Sequence, residues 1–367
     1  MERMIGGDFP TLPHRCMYFF LATFPSFYPV KSPDAAEGEQ RAAYDFIRGV
    51  YEKIYNDPIL LGFKAIPDDC LGNWEQQKAK PGLVPKIRGM IYKTADFIEL
   101  LYNIASCYDV EVKPAQIKTL AKFGVETKDV DGARKYIFPQ GTERGLALLA
   151  KLSAKNSEPA QKRYFLFSRG VFDAKAPWMS EVFGKMLENR APYDRLVKFF
   201  DENGYMRIDG RSEENQMAAV TLDYVKEYAP NGGKLKQAWA ERTRGGIEFV
   251  YQEVRRNQFS ATMRIPGFHI LLKYSEMMNE KVKSFVTSTA KKCDGCKYCV
   301  KTDKTGKRPF VAVPVGNLKI CPMFCGFQFT WRSLDDETVD NIAETLIFID
   351  TVFRPNGPGA GELAKWA

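Results

Sequence analysis

The sequence predicts a mainly α-helical α+β protein. It has a helical body, a small cysteine-rich β-hairpin module near residues 290–330, and a helix after that module. Three observations predict this fold class. Apolar residues recur every three or four positions along several segments, which is the period of an amphipathic helix. Five of the eight cysteines lie within the 33 residues from Cys293 to Cys325. A capping sequence that begins at Ser333 then opens another helical pattern.

The length of 367 residues predicts two or three domains. We divide the sequence into a mostly helical region at residues 1–125, a second helical region at 126–265, and C-terminal helices at 266–367 that flank the metal module. The composition, with 45% hydrophobic and 27% charged residues, is that of an ordinary globular protein. Collagen-like and fully disordered chains are excluded.

Helices dominate the prediction for the first region. Residues 16–24 suit a buried strand or a short core helix, because the apolar run is short and ends at a proline. Ser32-Pro33 begins a helical pattern that ends at Asp57-Pro58. A clear amphipathic helix follows Pro85 and continues to residue 105. Residues 114–123 form a short helix that Gly124 closes.

The middle and last regions are also predicted to be mostly helical. Two long helices are expected, one from Ser212 to Tyr228 and one from Lys234 to about Arg256, with an interruption at Gly245-Gly246. A further helix begins after Pro266-Gly267 and leads toward the cysteines. The tail after Arg354 is rich in proline and glycine and is expected to be mobile. Shorter helices are predicted at 145–152, 180–188 and 193–202, and short strands at 164–167 and 205–208.

The cysteines near the C-terminus have the spacing of a metal site. Cys293, Cys296 and Cys299 are each separated by two residues, and Cys321 and Cys325 follow after 21 residues. Two thiolates on one tight turn point to the same side, and an intervening hairpin brings a second pair to face them. Four thiolates form the tetrahedral site of structural zinc, with Zn–S bonds of about 2.3 Å. We therefore predict that four of these five cysteines bind zinc.

The local pattern resembles a zinc ribbon. Cys293-x2-Cys296 matches the first knuckle, and Cys321-Pro-x-x-Cys325-Gly matches a second knuckle enlarged by one residue. Between them we expect a hairpin that turns at residues 303–306, returns as a strand at 310–313, and is followed by a strand at 318–320. The resemblance covers about 35 of the 367 residues. It implies metal binding and does not imply a family for the whole chain.

The same cysteines leave an iron–sulfur alternative open. Three close cysteines and a distant Cys-Pro resemble the ligands of one [4Fe–4S] cluster in bacterial ferredoxins. Under this alternative Cys293, Cys296, Cys299 and Cys321 hold the cluster, and Cys325 is not a ligand. No Cys-Pro comes four residues after Cys299, so the chain holds one cluster at most. Thiolates bind zinc and iron–sulfur clusters alike, so spacing alone does not choose between them.

Most of the net positive charge lies around these cysteines. From Lys291 to Lys319 there are eight basic residues and two acidic ones, a net charge of +6 in a chain whose total is +8. These cations either offset the negative charge of a four-thiolate zinc site or contact the phosphates of a nucleic acid. The candidate contacts to a nucleic-acid or protein partner are Lys301, Lys304, Lys307 and Arg308. The candidate aromatic stacking surfaces are Tyr298, Phe310, Phe327 and Trp331.

Other functional signatures are weak. The chain has only two histidines, His14 and His269, which excludes a zinc hydrolase built on several histidines. We find no phosphate-binding loop and no nucleophile elbow. No apolar run reaches the length of a membrane helix and the first residues lack a basic signal segment, so we expect a cytoplasmic protein that does not contact membranes.

The preferred function is therefore that of a zinc-binding regulatory or interaction protein that contacts a nucleic acid or a protein. The alternative is an iron–sulfur redox protein or enzyme. The sequence specifies no reaction, no substrate and no oligomeric state.

Overall fold

The computed structural model describes residues 12–64, 83–107, 111–130, 133–156, 163–187, 189–209, 220–229, 243–252, 258–293, 312–321 and 329–366. The fold is a mixed α+β fold with two compact units. Unit 1 comprises Met1–Glu188 with Gly210–Val220 and Tyr251–Gln258, and unit 2 comprises Asn189–Asp209, Thr221–Val250 and Phe259–Ala367. The division of the sequence into three regions remains a prediction.

The elements are numbered along the chain. The helices are α1 (Leu12–Ala22), α2 (Glu37–Asn56), α3 (Leu83–Ala105), α4 (Pro114–Lys122), α5 (Glu143–Asn156), α6 (Phe165–Ser168), α7 (Trp178–Met186), α8 (Ala191–Glu202), α9 (Phe268–Leu271), α10 (Glu280–Thr289), α11 (Asp336–Phe353) and α12 (Ala360–Trp366), with 3₁₀ turns at Pro58–Leu61 and Leu272–Met277. The strands are β1 (Glu126–Val130), β2 (Ala133–Ile137), β3 (Met206–Asp209), β4 (Val220–Glu227), β5 (Arg244–Gln252), β6 (Gln258–Arg264), β7 (Val313–Val315), β8 (Leu318–Ile320) and β9 (Thr330–Trp331).

Unit 1 is mainly helical, as predicted. The helices α2, α3, α4 and α5 confirm the helical patterns in this part of the sequence. α2 packs against both α1 and α5. At the second contact, a Cβ on Gly145 would lie 2.1 Å from the carbonyl oxygen of Glu39. Glycine at 145 therefore lets α5 approach the backbone of α2.

Two elements of unit 1 differ from the prediction. Residues 164–167 were expected to form a strand, but Phe165–Ser168 is a helical turn whose four residues are all buried. A run buried on every side has no period, so it looks alike as a strand or a helix. The antiparallel hairpin β1–β2 was not predicted. Its strands are mostly polar, so no apolar alternation marks them.

Unit 2 contains most of a five-stranded antiparallel sheet with the order β3-β4-β5-β6-β9. This sheet overturns the mainly α-helical prediction. The predicted helix at 212–228 is strand β4 where the chain is described, and the predicted helix at 234–256 contains strand β5. The first six residues of β4 are all buried. A strand buried on both faces does not alternate, and the spacing of Val220 and Tyr224 matches that of a helix.

Gly246 marks the close approach of β5 to β4. Its φ is +141°, and a Cβ there would lie 1.9 Å from the carbonyl oxygen of Tyr224. Only glycine fits such a position. The Gly245-Gly246 pair, which the sequence analysis placed as an interruption in a helix, therefore belongs to the sheet.

Helices α8 and α11 complete the core of unit 2. Phe200 of α8 stacks on Tyr224 of β4 with ring centroids 4.7 Å apart. Tyr193 of α8 meets Phe249 of β5 edge to face at 5.3 Å. α11 packs against α8 and α10. Aromatic side chains therefore fill the space between the sheet and α8.

Three helix boundaries in unit 2 differ from the prediction. The helix expected after Pro266-Gly267 is divided into α9, a 3₁₀ turn and α10. α11 is capped by Asp335, whose carboxylate accepts a hydrogen bond from the Thr338 backbone N–H at 2.7 Å, and not by Ser333. The tail after Arg354 includes helix α12.

Candidate metal centre

Helix α10 leads the chain to Cys293. The helix begins at Asn279, whose side chain accepts a hydrogen bond from the Val282 backbone N–H at 2.8 Å. Val282 and Val286 are 2% and 0% exposed and anchor the helix in unit 2. The helix ends at Ala290, where the backbone becomes extended. The position of Cys293 is therefore tied to a buried helix three residues upstream.

The hairpin β7–β8 leads the chain to Cys321. Val313 pairs with Ile320 and Val315 with Leu318, so the loop contains only Gly316 and Asn317. Gly316 has a φ of +55°, which glycine adopts without strain. The predicted strand at 318–320 is confirmed as β8. Cys321 follows directly and is 2% exposed, while Cys293 is partly exposed.

The segments that end at Cys293 and Cys321 lie side by side. Lys292 forms an antiparallel bridge with Ile320. The Cys293 N–H donates to the Lys319 carbonyl oxygen at 2.8 Å, and the Cys321 N–H donates to the Lys291 carbonyl oxygen at 2.8 Å. Residues 26 and 30 positions apart in the sequence are thus joined by backbone hydrogen bonds. This pairing brings the first and the fourth cysteine of the motif to neighbouring strands.

The register places Cys293 and Cys321 on the same face. Lys291 lies opposite Cys321, and opposite residues share a face. Cys293 is two residues after Lys291 and so returns to that face. The two cysteines are diagonal neighbours, for which the Cα–Cα distance is about 7–8 Å. A disulfide requires a Cα–Cα distance of about 4.4–6.8 Å. The diagonal register is therefore too wide for a disulfide between Cys293 and Cys321.

The remaining predicted site residues lie outside the described residues, and their assignment stays a prediction. They are Cys296, Cys299, Cys325, Lys301, Lys304, Lys307 and Arg308, with the aromatic candidates Tyr298, Phe310 and Phe327. In the described part of the chain, no group of three or more Cys, His, Asp or Glu residues is arranged to hold a metal ion. Only two of the five cysteines belong to that part.

The zinc-ribbon prediction is wrong for the described residues, which contain no such module. The expected return strand at 310–313 lies partly outside the described residues, and the strand that pairs with β8 is Val313–Val315. β8 also pairs through Ile320 with Lys292 on its other side. The local turn at Gly316-Asn317 sets this pairing, because a two-residue loop fixes the register of the strands that it joins.

Two features lie beside the cysteines, and the sequence analysis did not connect them. One is a group of exposed lysines, and the other is a pair of stacked aromatic side chains. Lys291, Lys292 and Lys319 are exposed on the paired segments. Trp331, predicted as a stacking surface, already stacks on Phe285 of α10 with ring centroids 5.9 Å apart and planes 13° apart. Both aromatic side chains are partly exposed. In the sequence, the residue that points to this stack is Phe285, which is one of the apolar residues of the helical pattern before the cysteines.

A separate polar cluster joins β4 to α11. The Lys226 Nζ lies 2.7 Å from Asp350 Oδ1, and the Tyr205 and Tyr228 hydroxyl oxygens are 3.4 Å apart. Burial raises the pKa of Tyr205 to about 12. Burial, together with Tyr205 and Asp350, also raises the pKa of Tyr228. Both phenols therefore stay protonated at neutral pH, and one of the two hydroxyls donates a hydrogen bond to the other.

No family model matches this chain, and comparisons with curated proteins and with solved structures found no match. None of the helices in the described ranges is long and apolar enough to cross a membrane. The geometry around Cys293 and Cys321 is therefore the basis for assigning a function.

Proposed function

We propose that this chain is a zinc-binding protein whose metal centre uses four of the five clustered cysteines. The observation that carries the proposal is the antiparallel pairing of residues 291–293 with residues 319–321. It supports the proposal because Cys293 and Cys321 then lie on one face of the paired segments. Cys293 and Cys321 are also the ligands that the zinc and the iron–sulfur hypotheses share with Cys296.

The proposed role of the metal is structural. A site of four thiolates has no open position for a substrate, so it holds chain segments together without taking part in a reaction. Here the ion would join the end of α10 to the end of β8. Each strand of the β7–β8 hairpin has only three residues. Val315 and Ile320 already attach the hairpin to the core, and a metal at Cys321 would add a second attachment.

Elemental analysis of the full chain, purified without oxygen, tests the proposal. We expect about one zinc per chain and no iron. About four irons with a matching amount of acid-labile sulfide would contradict zinc and support the [4Fe–4S] alternative. A chain without either metal would contradict both.

Two cysteine variants test the ligand assignment. Cys293→Ser and Cys321→Ser should each lose most of the bound zinc, because thiolates bind zinc more strongly than hydroxyls do. Cys107→Ser is the matched control, since Cys107 is an exposed cysteine beyond the end of α3 in unit 1. Undiminished zinc in the first two variants would refute the assignment.

Removing the metal should affect the two units differently. A ligand present at about a thousand times its Kd stabilises the folded state by about 4 kcal/mol. We expect a chelator to speed hydrogen exchange in peptides that cover α10 and β8, with α2 and α5 unchanged. Hydrogen–deuterium exchange mass spectrometry measures both in one sample. Equal effects on both units would contradict a site confined to the cysteine motif.

A further inference from the structure

We infer that unit 1 binds double-stranded DNA through one face of the β1–β2 hairpin, the face that carries Lys128 and Lys135. We name it the lysine face. Both strands of the hairpin belong to the described part of the chain. The inference does not depend on the proposed metal centre, because it uses cationic side chains of unit 1 and no thiolate.

The strand register places the two lysines on one face. Lys128 and Lys135 are directly opposite each other in the antiparallel pair. Opposite residues share a face, with Cβ atoms about 4.5–5.5 Å apart. Both side chains are exposed. Like charges placed directly opposite each other destabilise a hairpin, and an anion between the two ammonium groups would relieve their repulsion.

The two faces of the hairpin differ in charge. On the face behind the lysines, Asp129 is opposite Arg134, and the Arg134 Nε lies 3.4 Å from Asp129 Oδ1. On the lysine face, the acidic residue is Glu126, two residues before Lys128. Within the described ranges, no carboxylate forms an ion pair with Lys128 or Lys135. The lysine face therefore has two positive charges available to a partner.

The chain around the hairpin adds to this positive charge. From Lys113 to Ile137 there are six basic and three acidic residues, a net charge of +3. All six basic residues belong to the described part of the chain and are exposed. Helix α4, which contacts β1, carries two of them, Lys118 and Lys122. Their spacing of four puts them on one side of the helix. The summed positive potential attracts phosphates.

Buried side chains hold the base of the hairpin. Val125, just before β1, is 0% exposed, and Phe138, just after β2, is 7% exposed. Phe123 contacts Phe97 of α3 with ring centroids 4.6 Å apart, and Phe138 contacts Phe46 of α2 at 5.7 Å. None of the described side chains within the two strands is buried. The hairpin therefore extends into solvent from a fixed base, by about 17 Å at 3.4 Å per residue.

The hairpin fits B-form DNA better than other polyanions. A two-stranded ribbon fits in the major groove of B-DNA, which is about 12 Å wide, whereas the major groove of duplex RNA is too deep and narrow for side chains to read. The described residues of the lysine face include no aromatic side chain on which an unpaired base could stack. The large apolar side chains that are exposed in the described ranges, which a membrane surface would bury, lie outside the hairpin.

Fluorescence anisotropy with a labelled 20-base-pair DNA duplex tests the inference on the full chain. We expect binding that weakens as the salt concentration rises from about 50 mM to about 200 mM. The double variant Lys128→Glu/Lys135→Glu should weaken binding at least about tenfold. It should also lower the salt slope by about 1.8, at about 0.9 for each lost phosphate contact.

The single variant Lys128→Glu separates binding from folding. It places a carboxylate opposite Lys135, and opposite charges at this position stabilise an antiparallel pair. We expect slower hydrogen exchange in β1 and β2 together with DNA binding that is at least about threefold weaker and has a lower salt slope. If the lysines affected folding alone, exchange would slow and binding would stay the same.

The matched control is Lys155→Glu, which makes the same change of charge in unit 1. Lys155 is an exposed residue at the end of α5. It lies about 18 Å along the helix from Glu143, the end of α5 that is nearer the hairpin in the chain. We expect this variant to weaken DNA binding by less than about twofold.

Four results would overturn the inference. The first is the absence of salt-dependent binding to the DNA duplex. The second is a Lys128→Glu variant that slows exchange in the hairpin and leaves binding unchanged. The third is an equal loss of binding in Lys128→Glu and Lys155→Glu. The fourth is tighter binding to an RNA duplex, to a single strand or to phosphatidylserine vesicles than to the DNA duplex.

Counting zinc in the same samples separates this inference from the metal proposal. We expect the hairpin variants to lose DNA binding and to keep their metal. If a chelator abolishes DNA binding and the hairpin variants do not change it, the cysteine motif is the DNA contact and the inference fails, while the metal proposal stands. A chain without metal that binds DNA through the hairpin would refute the metal proposal and support the inference.

Discussion

Unit 1 and unit 2 differ in how far along the sequence their defining contacts reach. In unit 1, α2 buries seven residues at helical spacing, from Gln40 to Ile54. Its pattern can be read within twenty residues. Strand β4, which belongs to unit 2 from Thr221 onward, buries six consecutive residues, Val220 to Val225, by packing both of its faces. A helix or strand with one buried face therefore shows a regular period of apolar residues in its sequence, whereas a strand buried on both faces shows no such period.

One ion pair from each unit shows the effect of burial on a polar contact. In unit 1, Lys151 pairs with Asp34 at 2.7 Å while the two side chains are 70% and 47% exposed. In unit 2, Lys226 pairs with Asp350 at 2.7 Å while they are 29% and 35% exposed. Exposed pairs are weakened by water and salt more than partly buried ones are. We therefore expect the Lys226–Asp350 pair to stabilise the fold more than the Lys151–Asp34 pair does.

The largest expected effect is that of Gly246→Ala. A methyl group there meets the Tyr224 carbonyl oxygen at 1.9 Å, and neighbouring strands cannot separate without breaking their hydrogen bonds. We expect unit 2 to lose at least about 3 kcal/mol. In unit 1, Gly145→Ala meets the Glu39 carbonyl oxygen at 2.1 Å. Helices can shift and tilt, so we expect a smaller cost of about 1–3 kcal/mol.

Urea unfolding followed by hydrogen exchange measures the two losses separately. Exchange in strands β4 and β5 reports on unit 2, and exchange in helices α2 and α5 reports on unit 1. Gly204→Ala is the control. Its φ is +71° and a Cβ there has no atom within 4 Å, so it should cost only about 1–2 kcal/mol. A larger loss for Gly145→Ala than for Gly246→Ala would reverse the comparison.

The next effect concerns a carboxylate of unit 1. Glu181 accepts hydrogen bonds from Ser26 Oγ at 2.5 Å and Tyr28 OH at 2.6 Å and pairs with Lys185. Partial burial acts to raise the pKa of Glu181, and the hydrogen bonds from Lys185, Ser26 and Tyr28 outweigh it and lower the pKa to about 2. Because the folded pKa is below the ordinary value of 4.5, its stabilisation is complete above about pH 5 and is lost as the pH falls toward 2.

Unit 1 should therefore lose on the order of 2 kcal/mol between pH 5 and pH 2 through this group. One pKa unit corresponds to about 1.4 kcal/mol, and we reduce the total for a side chain in contact with solvent. Glu181→Gln should remove this part of the pH dependence, as measured by urea unfolding at pH 5 and pH 3. An unchanged pH profile in the variant would show that the Glu181 contacts do not stabilise unit 1.

The smallest expected effects are those of the two aspartates. Asp350→Asn weakens the pair with Lys226 and the contact with Tyr228, and we expect a loss of about 1 kcal/mol. Asp34→Asn weakens an exposed pair and should cost no more than about 0.5 kcal/mol. Thermal unfolding in 0.05 M and 0.5 M salt measures both. We expect salt to erase the effect of Asp34→Asn and to preserve that of Asp350→Asn. Equal losses that salt removes alike would show that burial does not distinguish the units.

The outcome of the sequence analysis follows the same division. The helical patterns of α2, α3 and α5 were read correctly, since their stripes arise from contacts on one side. Strands β4 and β5 were missed, because their burial depends on α8 and on neighbouring strands far along the chain. The strand at Leu318–Ile320 was found, and the zinc-ribbon arrangement around it was wrong. For the candidate site, spacing identified the cysteines, while only the bridge between Lys292 and Ile320 brought two of them together.

The sequence by itself determined where helices with one buried face lie, where the positive charge is concentrated, and which cysteines are close enough in the chain to share a metal. These properties depend on residue type and on spacing over a few turns. The tertiary structure decided that residues 220–227 and 244–252 are strands, that Gly246 must be a glycine, and that Cys293 and Cys321 share a face. Each of these depends on segments distant in sequence, and strand pairing stabilises neither segment until both are present.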